Sequence, residues 1–139
     1  MQMEQTFSII KPDGVKRNLI GKILSYFEDN GLKIVAIKIC HVSEEQIRKL
    51  YIEHTEKAFF PEVLEFMKSA PVCMQILEGE NSVLKNRSIM GDTDPKAAPK
   101  GTIRGDLASS IEANLVHGAA TLADAQREIS IFFPEWKNR

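Results

Sequence analysis

The chain has 139 residues, about the length of one ordinary domain, with 43% hydrophobic and 27% charged residues. Eighteen basic against nineteen acidic residues leave a net charge of −1. These values exclude disorder, collagen and coiled coil, and argue against capture of duplex nucleic acid or an anionic membrane by bulk charge.

Thr6 to Ile10 alternates polar and apolar residues, which predicts a strand with one buried face. Lys11-Pro12-Asp13-Gly14 reads as a turn. Ile20, Ile23, Leu24 and Phe27 recur at helical spacing, and Asn30-Gly31 supplies the stop. Ile34 to Ile39, rich in β-branched residues, predicts a second strand. Ser43 to Gln46 is a capping box for a helix carrying Ile47, Leu50, Tyr51 and His54. Pro61 suits a first helical turn, with Val63, Phe66 and Met67 on one face. Val72 to Leu77 predicts a third strand, closed by Glu78 to Asn81, and a short helix follows from about Ser82 to Met90. Leu115 to His117 predicts a fourth short strand. Thr121 caps a last helix whose apolar face is Leu122, Ala125 and Ile129.

This order predicts one α+β domain over residues 1–139, an α/β sandwich of ferredoxin-like βαββαβ type. Its sheet is antiparallel, with one face covered by helices. Gly91 to Asn114 has little periodicity before Leu107 and reads as a long irregular loop, a length usually tied to function. Cys40 and Cys73 read as buried free thiols in a reducing compartment. The longest uncharged stretch, Ala113 to Ala123, is far short of the roughly 20 apolar residues a membrane span needs. Met1 to Glu4 lacks a basic region leading into an apolar run, so a cytoplasmic location is expected.

No Gly-x-x-x-x-Gly-Lys loop, Gly-x-Gly-x-x-Gly, Cys-x-x-Cys, His-Glu-x-x-His or Gly-x-Ser-x-Gly motif occurs. If phosphates bind, separated cations must hold them. Lys11, Arg87 and Arg104 are the candidates, against the ordinary alternative that each is a solvated surface charge. His117 ends an apolar run just before a helix start, where it suits a nucleophile, a base or a satisfied core residue. Glu128, seven residues beyond the helix cap, is placed to fold back and orient the imidazole. His41 and His54 read as structural.

Taken in order, these segments resemble one family. Thr6 to Gly14, Phe59-Phe60, Arg87 with Met90 to Pro95, Gly101 to Asp106 and Asn114 to Gly118 closely resemble the nucleoside diphosphate kinases. The resemblance runs from Thr6 to about Pro134. It implies transfer of the γ-phosphoryl group from a nucleoside triphosphate, mainly ATP, to a nucleoside diphosphate by a ping-pong route. His117 would be the nucleophile, Glu128 its partner and Tyr51 its neighbour. Lys11, Arg87 and Arg104 would hold phosphates, Thr93 would donate a hydroxyl to them, and Asn114 would contact the sugar. Phe59 would stack on the base, and stacking tolerates every base. Mg²⁺ would arrive on the nucleotide phosphates rather than sit in a protein cage.

The chain departs from this pattern at Ala119, where the family usually has a serine that helps hold the histidine and the glutamate. The expectation is a slower kinase, with a nucleotide-binding module of weak turnover as the alternative reading. Lys57-Ala58 replaces Arg-Pro, which loses a guanidinium fork and a stiff turn. The chain ends shortly after Trp136, short of the tail of many members, so the implied homo-oligomer is a hexamer first and a tetramer second.

Overall fold

The computed structural model describes residues 3–136; the chain end past Trp136, on which the assembly expectation bears, lies outside them. Four strands, β1 (Met3–Ile10), β2 (Lys33–Cys40), β3 (Val72–Glu80) and β4 (Val116–Gly118), form a sheet in the order β2-β3-β1-β4. Every neighbouring pair is antiparallel. The helices are α1 (Pro12–Lys16), α2 (Ile20–Asp29), α3 (Glu44–Leu50), α4 (Phe60–Lys68), α5 (Ser82–Met90), α6 (Ile103–Leu107) and α7 (Leu122–Phe132). The architecture is the expected α+β sandwich of ferredoxin-like order.

Local signals set several of these boundaries. The Ser43 hydroxyl accepts from the Gln46 N–H, and the Gln46 side chain accepts from the Ser43 N–H, so both ends of the capping box close. Gly31 takes φ +85 just past α2, a conformation glycine adopts without a Cβ clash. Pro61 lies in the first turn of α4, where its missing N–H costs nothing.

Both faces of the sheet are covered, not one. Phe7, Ile9, Val72, Met74 and Ile76 pack with α3, α4 and α7, while Ile10, Cys73 and Leu77 pack with α2, α5 and α6. The polar positions of β1 are therefore buried too. Thr6 and Ser8 are small enough for that interior, and the Gln75 amide donates to the Ser8 hydroxyl at 2.8 Å from the opposite strand.

Other expectations change for equally local reasons. Lys11 to Gly14 leads into a short helix because Pro12 fits its first turn. The third strand runs on to Glu80 because β1 begins at Met3 and pairs with it; Asn81, at φ +52, makes the turn instead. The helix after Ser43 stops at Leu50, and Ile52–His54 is a single 3₁₀ turn. Leu122 is exposed, and α7 buries Ala125, Glu128 and Phe132 instead. Cys40 is only half-buried, on the opposite face of the sheet from the buried Cys73. No described helix is long and apolar enough to cross a membrane.

Candidate active site

Strand β1 is the axis of the site. Ile9 pairs with His117 in the register between β1 and β4, so Lys11, just past the end of β1, comes to lie beside the segment entering β4. The Lys11 N–H donates to the Leu115 carbonyl at 2.7 Å. Leu115 itself has φ +76, and the Val116 N–H bonds back to Asn114 across it at 2.9 Å. A three-residue turn with that sign of φ is strained for a non-glycine residue. Two things hold it: the Leu115 side chain is wholly buried, and the buried Asp13 carboxylate accepts from the Leu115 N–H at 3.1 Å.

These segments border a cleft of about 1250 Å³. Lys11, Tyr51, Arg87, Thr93, Arg104, Asn114, His117 and Glu128 all line it, so eight of the nine residues singled out in the sequence converge in space. Phe59 does not line it. Its half-exposed ring packs beside the His54 ring at 5.8 Å, with the Lys57 ammonium 5.7 Å from its centroid.

His117 Nε2 lies 2.7 Å from Glu128 Oε1. A carboxylate only accepts hydrogen bonds, so in the neutral imidazole Nε2 carries the proton and Nδ1 keeps a lone pair. The Tyr51 ring meets the imidazole edge-on at 6.2 Å, and the Phe7 ring lies 6.5 Å away. Burial, and then the charge of Glu128, push the Tyr51 phenol up to about 12. It stays protonated at any working pH.

Asn114 links two other candidates. The Lys11 ammonium donates to its Oδ1 at 3.0 Å, and its Nδ2 donates to the Thr93 carbonyl at 3.1 Å. Arg104 is buried and spends three N–H groups on backbone carbonyls, those of Gly91, Asn114 and Val116. One N–H on each terminal nitrogen is left over for a ligand. Burial first, and then the neighbouring Arg87, hold this guanidinium below its ordinary value. Burial and Arg104 together lower Lys11 from 10.5 to about 8, against the opposing pull of Asp13. Three cations thus crowd one wall of the cleft, an arrangement that favours a polyanion.

The loop from Gly91 to Asn114 is not structureless. It contains α6, capped where the Gly105 N–H donates to the Thr102 hydroxyl at 3.0 Å. That helix carries Arg104 into the cleft. The loop is clamped from outside by Asp106, which accepts from the Tyr26 hydroxyl at 2.7 Å and from the Gly101 N–H at 2.8 Å.

Asp13, Leu115, Asp92 and Arg127 did not emerge from the sequence as site residues. Asp13, Asp92 and Leu115 lie inside the motif segments, but what each touches depends on strand register and packing, as does the place of Arg127. His54, read as structural, lines the cleft, and its buried Nδ1 has no protein partner. Among the described residues, no group of three or more His, Cys, Asp or Glu side chains is placed to hold a metal ion.

Comparison with known proteins points to one family. The family model described as nucleoside diphosphate kinase matches residues 4–137. A nucleoside diphosphate kinase of Burkholderia thailandensis is 55% identical over 135 residues, covering 97% of this chain and 96% of the relative. One from Burkholderia mallei is 53% identical over the same length and coverage. Among solved structures, a halophilic nucleoside diphosphate kinase from Halobacterium salinarum, in complex with CDP, superposes with a TM-score of 0.92 at 38% identity. The match covers 99% of this chain and 95% of that one. On sequence and fold alike, the chain belongs to the nucleoside diphosphate kinase family.

Proposed function

We propose that this member of the family moves the γ-phosphoryl group of a nucleoside triphosphate, ATP foremost, to a nucleoside diphosphate through phosphohistidine at His117. The observation that carries the assignment is the His117–Glu128 pair. With Nε2 held by a buried carboxylate at 2.7 Å, Nδ1 is the nitrogen left to attack.

In the first half-reaction the Nδ1 lone pair forms a bond to the γ-phosphorus. The bond from that phosphorus to the β,γ-bridging oxygen breaks, and the departing diphosphate keeps the electron pair. The ring becomes cationic while its Nε2 proton stays shared with Glu128, which stabilises that charge. In the second half-reaction a terminal oxygen of the incoming diphosphate attacks the same phosphorus, and the N–P bond breaks. The same groups serve both halves because donor and acceptor occupy one cleft in turn.

Lys11, Arg87 and Arg104 hold the phosphates, and Thr93 adds its hydroxyl. Asn114 meets the sugar. Phe59, half-exposed and outside the cleft lining, is assigned to stack on the base. The family uses a divalent metal, and Mg²⁺ is the cation assigned here. Asp92, the acidic side chain beside Arg104 in the cleft, fits a divalent cation that arrives on phosphate oxygens; held there, the cation would supply charge neutralisation for the transferring group. We further infer a single domain over residues 1–139, a cytoplasmic location and a homo-oligomer, hexamer or tetramer.

The test is intact mass after brief incubation with ATP and Mg²⁺, then after addition of GDP, with His117→Ala as control. A phosphoryl-sized gain that disappears with GDP and is absent from the variant is expected. Nucleotide binding with no mass gain would defeat the assignment and favour a binding module.

A further inference from the structure

Glu128 has two oxygens, and the His117 bond accounts for one. The carboxylate is mostly buried, its side chain only 4% exposed, which favours a cation beside the second oxygen. Ala119, wholly buried against Val83 and Ala125, has no polar atom to offer. The cation within reach is Arg127, whose Nη2 lies 3.6 Å from Glu128 Oε2. The same guanidinium donates from Nη1 to the Lys49 carbonyl at 2.7 Å, satisfying one of the free carbonyls at the end of α3. Just beyond that end lies Tyr51, the ring that meets His117 edge-on at 6.2 Å.

One side chain therefore joins the two elements that flank the imidazole: α7, which carries Glu128, and the end of α3, which leads to Tyr51. We propose that Arg127 is a positioning residue for His117. It holds the Glu128 carboxylate in the orientation that fixes the ring, and locks α7 to the segment bearing Tyr51. This rests on the assignment of His117 as the nucleophile. Asp124, 3.7 Å from the same Nη2, competes for the guanidinium. Arg127 is 39% exposed, so water screens the pair and its effect is moderate.

The experiment is single-turnover formation of phosphoenzyme from ATP and Mg²⁺, paired with equilibrium binding of ADP. Arg127→Gln keeps a donor for the Lys49 carbonyl but removes the charge, whereas Arg127→Met removes both. Both are expected to slow phosphoenzyme formation about fivefold, with ADP affinity unchanged. Arg127→Lys should recover most of the rate.

The deciding comparison repeats Arg127→Gln in a Glu128→Gln background. A residue acting through Glu128 loses its effect there, to within about twofold. Equal slowing in both backgrounds would overturn the proposal, as would an unimpaired Arg127→Gln chain. A fall in ADP affinity matching the fall in rate would make Arg127 a nucleotide contact instead, and would also overturn it. A parent chain that forms no phosphoenzyme defeats the His117 assignment itself. A parent that does so beside a fully active Arg127→Gln variant defeats only this inference.

Discussion

Lys11 and Asn114 are 103 residues apart in the chain, yet the Lys11 ammonium donates to Asn114 Oδ1 at 3.0 Å inside the cleft. The contact exists because β1 and β4 pair antiparallel, so the end of β1 lies beside the start of β4. It places a buried, partly desolvated cation where a polyphosphate would lie.

Lys11 makes the enzyme sensitive to alkali. Burial, helped by Arg104, lowers it to about 8, so the free enzyme loses this charge as pH rises through that value. Since the protonated form binds phosphate, kcat/KM is expected to fall on an alkaline limb near 8. Bound phosphates favour the ammonium, so the matching limb in kcat lies at higher pH. Asp13 pulls Lys11 upward, and Asp13→Asn should therefore shift the kcat/KM limb to lower pH. A profile that stays flat well past this range would remove Lys11 from phosphate binding.

Arg104 is structural as well as electrostatic. Its three bonds close Gly91, Asn114 and Val116 around one buried guanidinium. Arg104→Ala leaves the Gly91 and Val116 carbonyls without this donor, while that of Asn114 keeps the Val116 N–H; at roughly 1 kcal/mol for each of the two, a loss of about 2 kcal/mol is expected. Urea unfolding at unchanged slope would measure it. A variant as stable as the parent would show that water replaces the guanidinium freely.

Gly105 has no room for a side chain. A Cβ there would overlap the Pro99 carbonyl oxygen and stand 2.7 Å from its carbon, and backbone atoms cannot rotate away. Gly105→Ala must displace α6, which carries Arg104. Destabilisation of about 3 kcal/mol is expected, together with loss of phosphoenzyme. Retained activity would mean that α6 tolerates a shift of its backbone without moving the fork.

Ala119→Ser tests the departure from the family pattern. A hydroxyl reaching the His117–Glu128 pair adds a charge-assisted hydrogen bond, and a rise of up to about tenfold in phosphoenzyme formation is expected. Rapid-quench measurement on both chains decides it. An unchanged rate would mean that the pair is already held, with Arg127 as the structural reason.

Features that depend on neighbours along the chain were legible without coordinates. The Ser43 capping box, the glycine stop at Gly31, the bounds of α5 and the place of Pro61 are short-range effects and appear as expected. The site motifs were legible for a different reason: side-chain chemistry at His117, Lys11, Arg87 and Arg104 follows the family's order, which the eye can read without coordinates. Only the tertiary structure decided what depends on distant partners. The extension of β3 to Glu80 needs Met3 opposite it. The left-handed Leu115 needs Asp13, and α6 turns Arg104 toward carbonyls on both sides of its loop. Burial of the second sheet face, the place of His54 and the bridge made by Arg127 likewise arise from packing between separated segments. Such contacts leave no periodicity or local signature, because the partner that gives each residue its role is absent from its own stretch of sequence.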